Sequence, residues 1–156
     1  MAARLTLKEV LEKAIEKEIG AQQLYTDLGR RVTGKAAKDT FQELVRQEHG
    51  HEVLLERYVR GELKGGALRV GQALDYKIAE NTEPTEITPD MQLKDVFLMA
   101  ANREKVAHES YLALSQAHPD GEVKKLLGEL ALQELQHKHK LEFLYTEVAF
   151  PQTAGG

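Results

Sequence analysis

Gln47-Glu48-His49-Gly50-His51 and Gln133-Glu134-Leu135-Gln136-His137 are the stretches on which the reading of this chain turns. Each sets a Glu-x-x-His step in the middle of a run with helical periodicity, where a helix facing a core would ordinarily carry leucine. Around the first, Ala37, Phe41, Leu44, Glu48, His51, Leu55 and Tyr58 advance by fours and threes, which is one face of an α-helix. Around the second, Val123, Leu127, Leu130, Glu134, His137, Leu141, Leu144 and Val148 do the same. Two further stripes have the same stepping: Leu7, Leu11, Ala14, Glu18, Ala21, Tyr25, Leu28, Val32, and then Leu93, Phe97, Ala100, Glu104, Ala107, Tyr111, Leu114. Four inward faces therefore each carry one mid-helix glutamate, and two of them add a histidine one turn on.

Local signals bound these helices. Thr6-Leu7-Lys8-Glu9 is a capping box, so the first helix is expected over about 6–32, ended by Thr33-Gly34. The second is expected over 35–60, with Gly61 as its stop. Thr88-Pro89-Asp90 predicts a cap followed by proline at the first helical position, and so a third helix over 89–117. A fourth follows over 121–148, short of Pro151. Residues 61–88, punctuated by glycine and proline, are read as one long crossover, with 73–80 open to being a short helix or an extended strap. Residues 1–150 are expected to form the folded domain and 151–156 a flexible tail.

A shift of 86 residues lays Glu18 on Glu104, Tyr25 on Tyr111, Glu48 on Glu134 and His51 on His137 without a gap. The chain is thus a duplicated helical hairpin. Residues i and i+3 share a helix face, so each Glu-x-x-His pair can reach one point. A buried carboxylate has to be paired, neutralised or bound to a cation. Four carboxylates with two neutral imidazoles balance two divalent ions, as in di-iron and di-manganese carboxylate bundles, where two helices each give a Glu and two give a Glu-x-x-His. A lone Glu-x-x-His on a helix is ordinary surface chemistry; two on inward stripes, with two more inward glutamates at matching offsets, are not. The expected metal ligands are Glu18, Glu48, His51, Glu104, Glu134 and His137. Tyr25 and Tyr111, two turns past Glu18 and Glu104, are expected inside, either as core aromatics or with hydroxyls that orient a ligating carboxylate. His49 and His139 fall off the stripes, Glu52, Glu109 and Glu142 read as surface charges, and His108 lies one turn beyond Glu104.

Composition narrows the partners. A net charge of −4 with interspersed signs gives no basic stripe for nucleic acid. No apolar run approaches the ~20 residues of a membrane span, so no membrane partner and a cytoplasmic location are expected. With no cysteine among 156 residues, any metal is held by carboxylate and imidazole.

The motifs Glu18-x-x-Ala21-x-x-x-Tyr25, Glu48-x-x-His51, Glu104-x-x-Ala107-x-x-x-Tyr111 and Glu134-x-x-His137 resemble those of the rubrerythrin-like branch of the ferritin-like superfamily. The resemblance implies an all-α, ferritin-like four-helix bundle of two repeated hairpins with one long crossover. It also implies a centre of two iron ions, with manganese as the alternative metal, in which Glu48 and Glu134 bridge and Glu18, Glu104, His51 and His137 are terminal ligands. The implied activity is that of a non-haem di-iron oxidoreductase reducing peroxide or O2. Rubrerythrins usually add a four-cysteine rubredoxin-like domain, which this sequence lacks, so an external electron-transfer protein is expected as donor. Where they tend to carry an extra carboxylate on the third helix, this chain has Ala107, which counts against rubrerythrin-style peroxide reduction. Ferroxidase activity serving iron storage or detoxification is the alternative, and a bundle with a structural metal site and no catalysis a third. A homodimer is expected, with Ile15, Ile19, Val45 and Leu126 off the metal stripe as candidates for its face.

Overall fold

The computed structural model describes residues 5–68, 73–74, 88 and 90–150. Among these residues there are four α-helices: α1 Leu7–Arg31, α2 Lys35–Val59, α3 Leu93–Ala117 and α4 Glu122–Ala149. Two two-residue strands, β1 Leu5–Thr6 and β2 Ala73–Leu74, pair antiparallel, with Leu5 opposite Leu74 and Thr6 opposite Ala73. The crossover is therefore an extended strap at 73–74; the rest of the expected 73–80 segment, and the tail 151–156, lie outside the described residues.

Packing groups the described residues into two compact units. One holds α1, α2, the strand pair and residues 118–123; the other holds α3 and α4 from Lys124 onward.

In the first unit the expected start and stop signals operate as local chemistry. Thr6 Oγ1 accepts from Glu9 N at 3.1 Å and Glu9 Oε2 accepts from Thr6 N at 3.0 Å, the reciprocal bonds of a capping box. Gly34, at φ 93°, turns the chain into α2. At the far end Gly61, at φ 77°, donates to Tyr58 O while Glu62 N donates to Arg57 O, which is a Schellman stop. Leu7, Leu11, Leu28, Phe41, Leu44 and Leu55 are all buried, as their stripes require.

The chain after α2 then crosses the α3–α4 turn at backbone contact. A Cβ on Gly66 would lie 3.1 Å from Gly121 Cα, and Val123 N donates to Gly65 O at 3.0 Å. Tyr58 fastens this clamp from within: its hydroxyl accepts from Leu68 N at 3.1 Å and hydrogen-bonds His118 Nε2, with both side chains buried. The phenol oxygen accepts the Leu68 amide and shares one proton with His118 Nε2, so a single hydroxyl serves both partners. Burial pushes the Tyr58 hydroxyl above the usual phenol range.

In the second unit Ser115 Oγ donates to Lys124 O at 2.9 Å, tying α3 to α4 opposite Gly128. Val96, Phe97, Ala100, Leu114, Leu127, Leu130 and Leu141 form its buried face.

Two boundaries differ from expectation. α3 starts at Leu93, not at residue 89: Thr88 O accepts from Met91 N in a separate turn, and Gln92 O takes the first helical amides, from Asp95 and Val96. Thr88 is thus not the cap. α4 reaches Ala149, four residues beyond the point that corresponds to the end of α2, and Val148 in this extra turn is 42% exposed, not inward.

Candidate metal centre

Glu18 lies mid-way along α1, facing Glu48 and His51 on α2. All three are buried, the most exposed at 3%. His51 Nδ1 stands 3.6 Å from Glu18 Oε2 and 4.0 Å from Glu48 Oε1. The second hairpin repeats this arrangement. His137 Nδ1 stands 3.6 Å from Glu104 Oε2 and 4.0 Å from Glu134 Oε1, again with no residue more than 3% exposed. Within each triad, one ligand atom from every residue lies within 4.8 Å of the others.

These separations suit a cation in the middle of each triad. Imidazole nitrogen and carboxylate oxygen bind a small divalent ion at about 2.0–2.2 Å, so two ligands of one ion lie at most about 4.4 Å apart. The donors also match: imidazole and carboxylate suit iron, manganese and zinc, and nothing in the set is soft. Two carboxylates and a neutral imidazole, dehydrated in a helical interface, carry a charge that a divalent ion cancels.

The flanks of the two triads differ. Beside the first, Gln22 Nε2 donates to Glu18 O at 3.2 Å and to Glu52 Oε1 at 2.8 Å. That amide holds the Glu52 carboxyl below its usual range, while Glu56, hydrogen-bonded to Glu52, is pushed up. Glu52 is thus not a plain surface charge but a half-buried tie between α1 and α2. Gln22 lies one turn past Glu18, and that i,i+4 spacing was the sequence signal for it. In the second hairpin His108 stands at the position of Gln22, and its Nδ1 pairs with Ala131 O at 2.6 Å. Lys138 stands at the position of Glu52, bonded to Glu142 at 2.9 Å. His49 and His139 are exposed. Tyr25 and Tyr111 are buried, with the Tyr25 ring 6.0 Å from that of Phe41.

Two buried Glu/Glu/His triads on duplicated helical hairpins define a carboxylate–histidine metal-binding class of helical protein. The rubrerythrin family profile matches residues 9–145, and the chain belongs to that family. Two solved structures share its fold. One, a protein from Thermotoga maritima assigned as ferritin-like diiron-carboxylate, is 22% identical with a TM-score of 0.75, over 95% of this chain and 99% of that one. The other, a hypothetical protein from Pyrococcus furiosus, is 25% identical with a TM-score of 0.74, over 96% of this chain and 94% of that one. Among curated proteins, none matches the chain. The fold is all-α and ferritin-like, as the resemblance implied. No described helix is long and apolar enough to cross a membrane.

Proposed function

We propose that Glu18, Glu48, His51, Glu104, Glu134 and His137 together hold two iron ions, and that the protein is a non-haem di-iron oxidoreductase acting on peroxide or O2. The observation that carries this reading is the exact recurrence of the triad spacing, 3.6 and 4.0 Å, in both hairpins. A ferrous pair, when bound, supplies the two electrons for reduction of the oxidant. The chain's own part is to supply four carboxylates and two imidazoles, to strip water from them by burial, and to fix them on rigid helices. Glu48 and Glu134 are assigned as bridging and the other four as terminal ligands. Tyr25 and Tyr111 are assigned as orienting ligating carboxylates through their hydroxyls. Electrons return from a separate protein, since the chain has no cysteine for a rubredoxin-like centre.

Anaerobic loading to two Fe(II) per chain followed by rapid mixing with peroxide tests the reading. Oxidation no faster than that of free iron overturns it. Ala107, where relatives tend to have a carboxylate, favours a second reading on the same ligands, a ferroxidase reacting with O2. Continued oxidation by O2 of Fe(II) added beyond two per chain, with no electron donor present, decides for it.

A further inference from the structure

Ile15, Val45 and Leu126, expected from the sequence to cover a dimer face together with Ile19, are half-buried. Among the described residues, the large apolar side chains that stand furthest into solvent are on α4 and the residue after it: Phe150 at 69%, Phe143 at 63% and Leu132 at 54%. Phe150 keeps the helical bond of its amide to Thr146 O at 2.9 Å, so it continues the α4 surface. Steps of four and three join the three side chains through Gln136, His139 and Thr146, all exposed, into one stripe that faces away from the buried Leu141. The stripe contains no Lys, Arg, Asp or Glu. Thr146 adds little polarity, because its hydroxyl already donates to Glu142 O at 2.9 Å.

The duplicate hairpin shows what an ordinary outer face looks like at these positions. At the 86-residue offset the stripe corresponds to Arg46, Gly50, Val53, Arg57, Arg60 and Lys64, of which four are fixed cations. Arg46, Arg57, Arg60 and Lys64 are all exposed, as a solvated helix face requires. The two hairpins keep the same inward glutamates and histidines, yet on α4 every fixed cation of this outer face is gone. Two of the replacements are phenylalanines. Charge remains only at the margins, with Lys140 on one flank and Glu142, paired with Lys138 at 2.9 Å, on the other.

We infer that this face docks a second copy of the chain, α4 against α4 in antiparallel. The stepping by fours and threes is the seam of a helix pair. A twofold axis level with Leu141 lays Leu132 on Phe150 of the second copy, Gln136 on Thr146 and His139 on Phe143, and each layer recurs on the other side of the axis, as a self-complementary interface demands. A parallel pair would instead set His139 against its own copy. The area is of the right size. A stable pair takes about 800 Å² from each partner, roughly 500 Å² of it apolar in a homodimer. At about 200 Å² for a whole phenylalanine, Phe143 and Phe150 supply about half of that apolar share. Leu132, the Thr146 methyl and the stems of Gln136 and His139 extend it along about 27 Å of helix. The inference does not rest on the proposed iron chemistry.

Sedimentation velocity on the full-length protein at micromolar concentration is the first test. Two chains of 17.5 kDa, a mass of about 35 kDa, are expected. Phe143→Arg, which copies the residue at the corresponding position of α2, should weaken the pair at least about thirtyfold, as loss of a central interface side chain does. Phe143 is exposed, so the helical circular dichroism should be unchanged. Ile19→Arg, on the face expected from the sequence, should leave the pair intact. The absence of cysteine from the chain allows a second test that does not depend on the stability of a charged variant. Gln136→Cys mixed with Thr146→Cys should form a disulfide-linked pair, and neither should do so alone. A mass of one chain overturns the inference and leaves the face to a different protein; a mass above two chains overturns it as well. So do a pair that survives Phe143→Arg, a pair lost in Ile19→Arg, and Gln136→Cys that links to its own copy.

Discussion

The first hairpin opens its first helix at Leu7 and closes it at Arg31; the second opens at Leu93 and closes at Ala117, the same 86-residue offset that relates their glutamates and histidines. Across the triads the two copies agree to the distance. At their ends they diverge: α2 stops on Gly61 while α4 runs on to Ala149, Thr6 caps where Gln92 does not, and the positions corresponding to Tyr58 and His118 are Leu144 and Val32. The middle of each hairpin carries the proposed ligand set, which admits few residue types at fixed spacing. The ends are held by hydrogen bonds and apolar packing, which admit many.

The largest effect should come from breaking the triads. His51→Ala and His137→Ala are each expected to lower anaerobically bound iron from two to one or fewer per chain, and to the same extent; clearly unequal losses would show that the copies are not equivalent. Chelation should follow. Filling each site to about 100 times its Kd is worth about 2.7 kcal/mol, so removing both irons should lower the melting temperature by about 10–20 °C in calorimetry. Neither triad variant should retain the full shift.

Tyr58→Phe probes the divergent end. It strips the Leu68 amide and His118 Nε2 of their shared hydroxyl, and should cost about 1–3 kcal/mol in urea unfolding while leaving bound iron at two per chain. The same residue sets a pH dependence. An acid kept protonated by burial contributes stability that is whole below the unfolded tyrosine value of about 10 and is lost as pH rises through the higher folded value. Tyrosinate absorbance should therefore show a late-titrating contribution that disappears in Tyr58→Phe. The smallest effect concerns the caps. Thr6→Ala should lose about 1 kcal/mol, and Gln92→Thr, which places a cap at the equivalent position, should gain a few tenths to about 1 kcal/mol.

Much of this architecture was legible before any coordinates. The four stripes, the Thr6 capping box and the Gly61 stop depend on i,i+3 and i,i+4 neighbours, and such chemistry is written in the local sequence. So was the choice of Glu18, Glu48, His51, Glu104, Glu134 and His137 as buried groups, because polarity on an apolar stripe needs a cause. The start of α3 differs because Thr88 has the residue type of a helix cap while its carbonyl serves a separate turn; the repeat, carried from Leu7 to Leu93, is the better guide. Glu52 was misread because its burial depends on Gln22, 30 residues away. The clamp of Tyr58, Leu68 and His118 joins positions 58, 68 and 118 by a polar contact, and no periodicity announces it.

The close crossing of Gly66 over Gly121 also imposes an order of events. Residues 118–123 belong by packing to the same unit as α1 and α2, although α3 and the crossover intervene in the chain. As the polypeptide leaves the ribosome, the first hairpin can coil and collapse on its own, but its closing contact waits until the α3–α4 turn has been synthesised. The amides of Leu68 and Val123 should then be among the last in that unit to gain protection when the protein refolds.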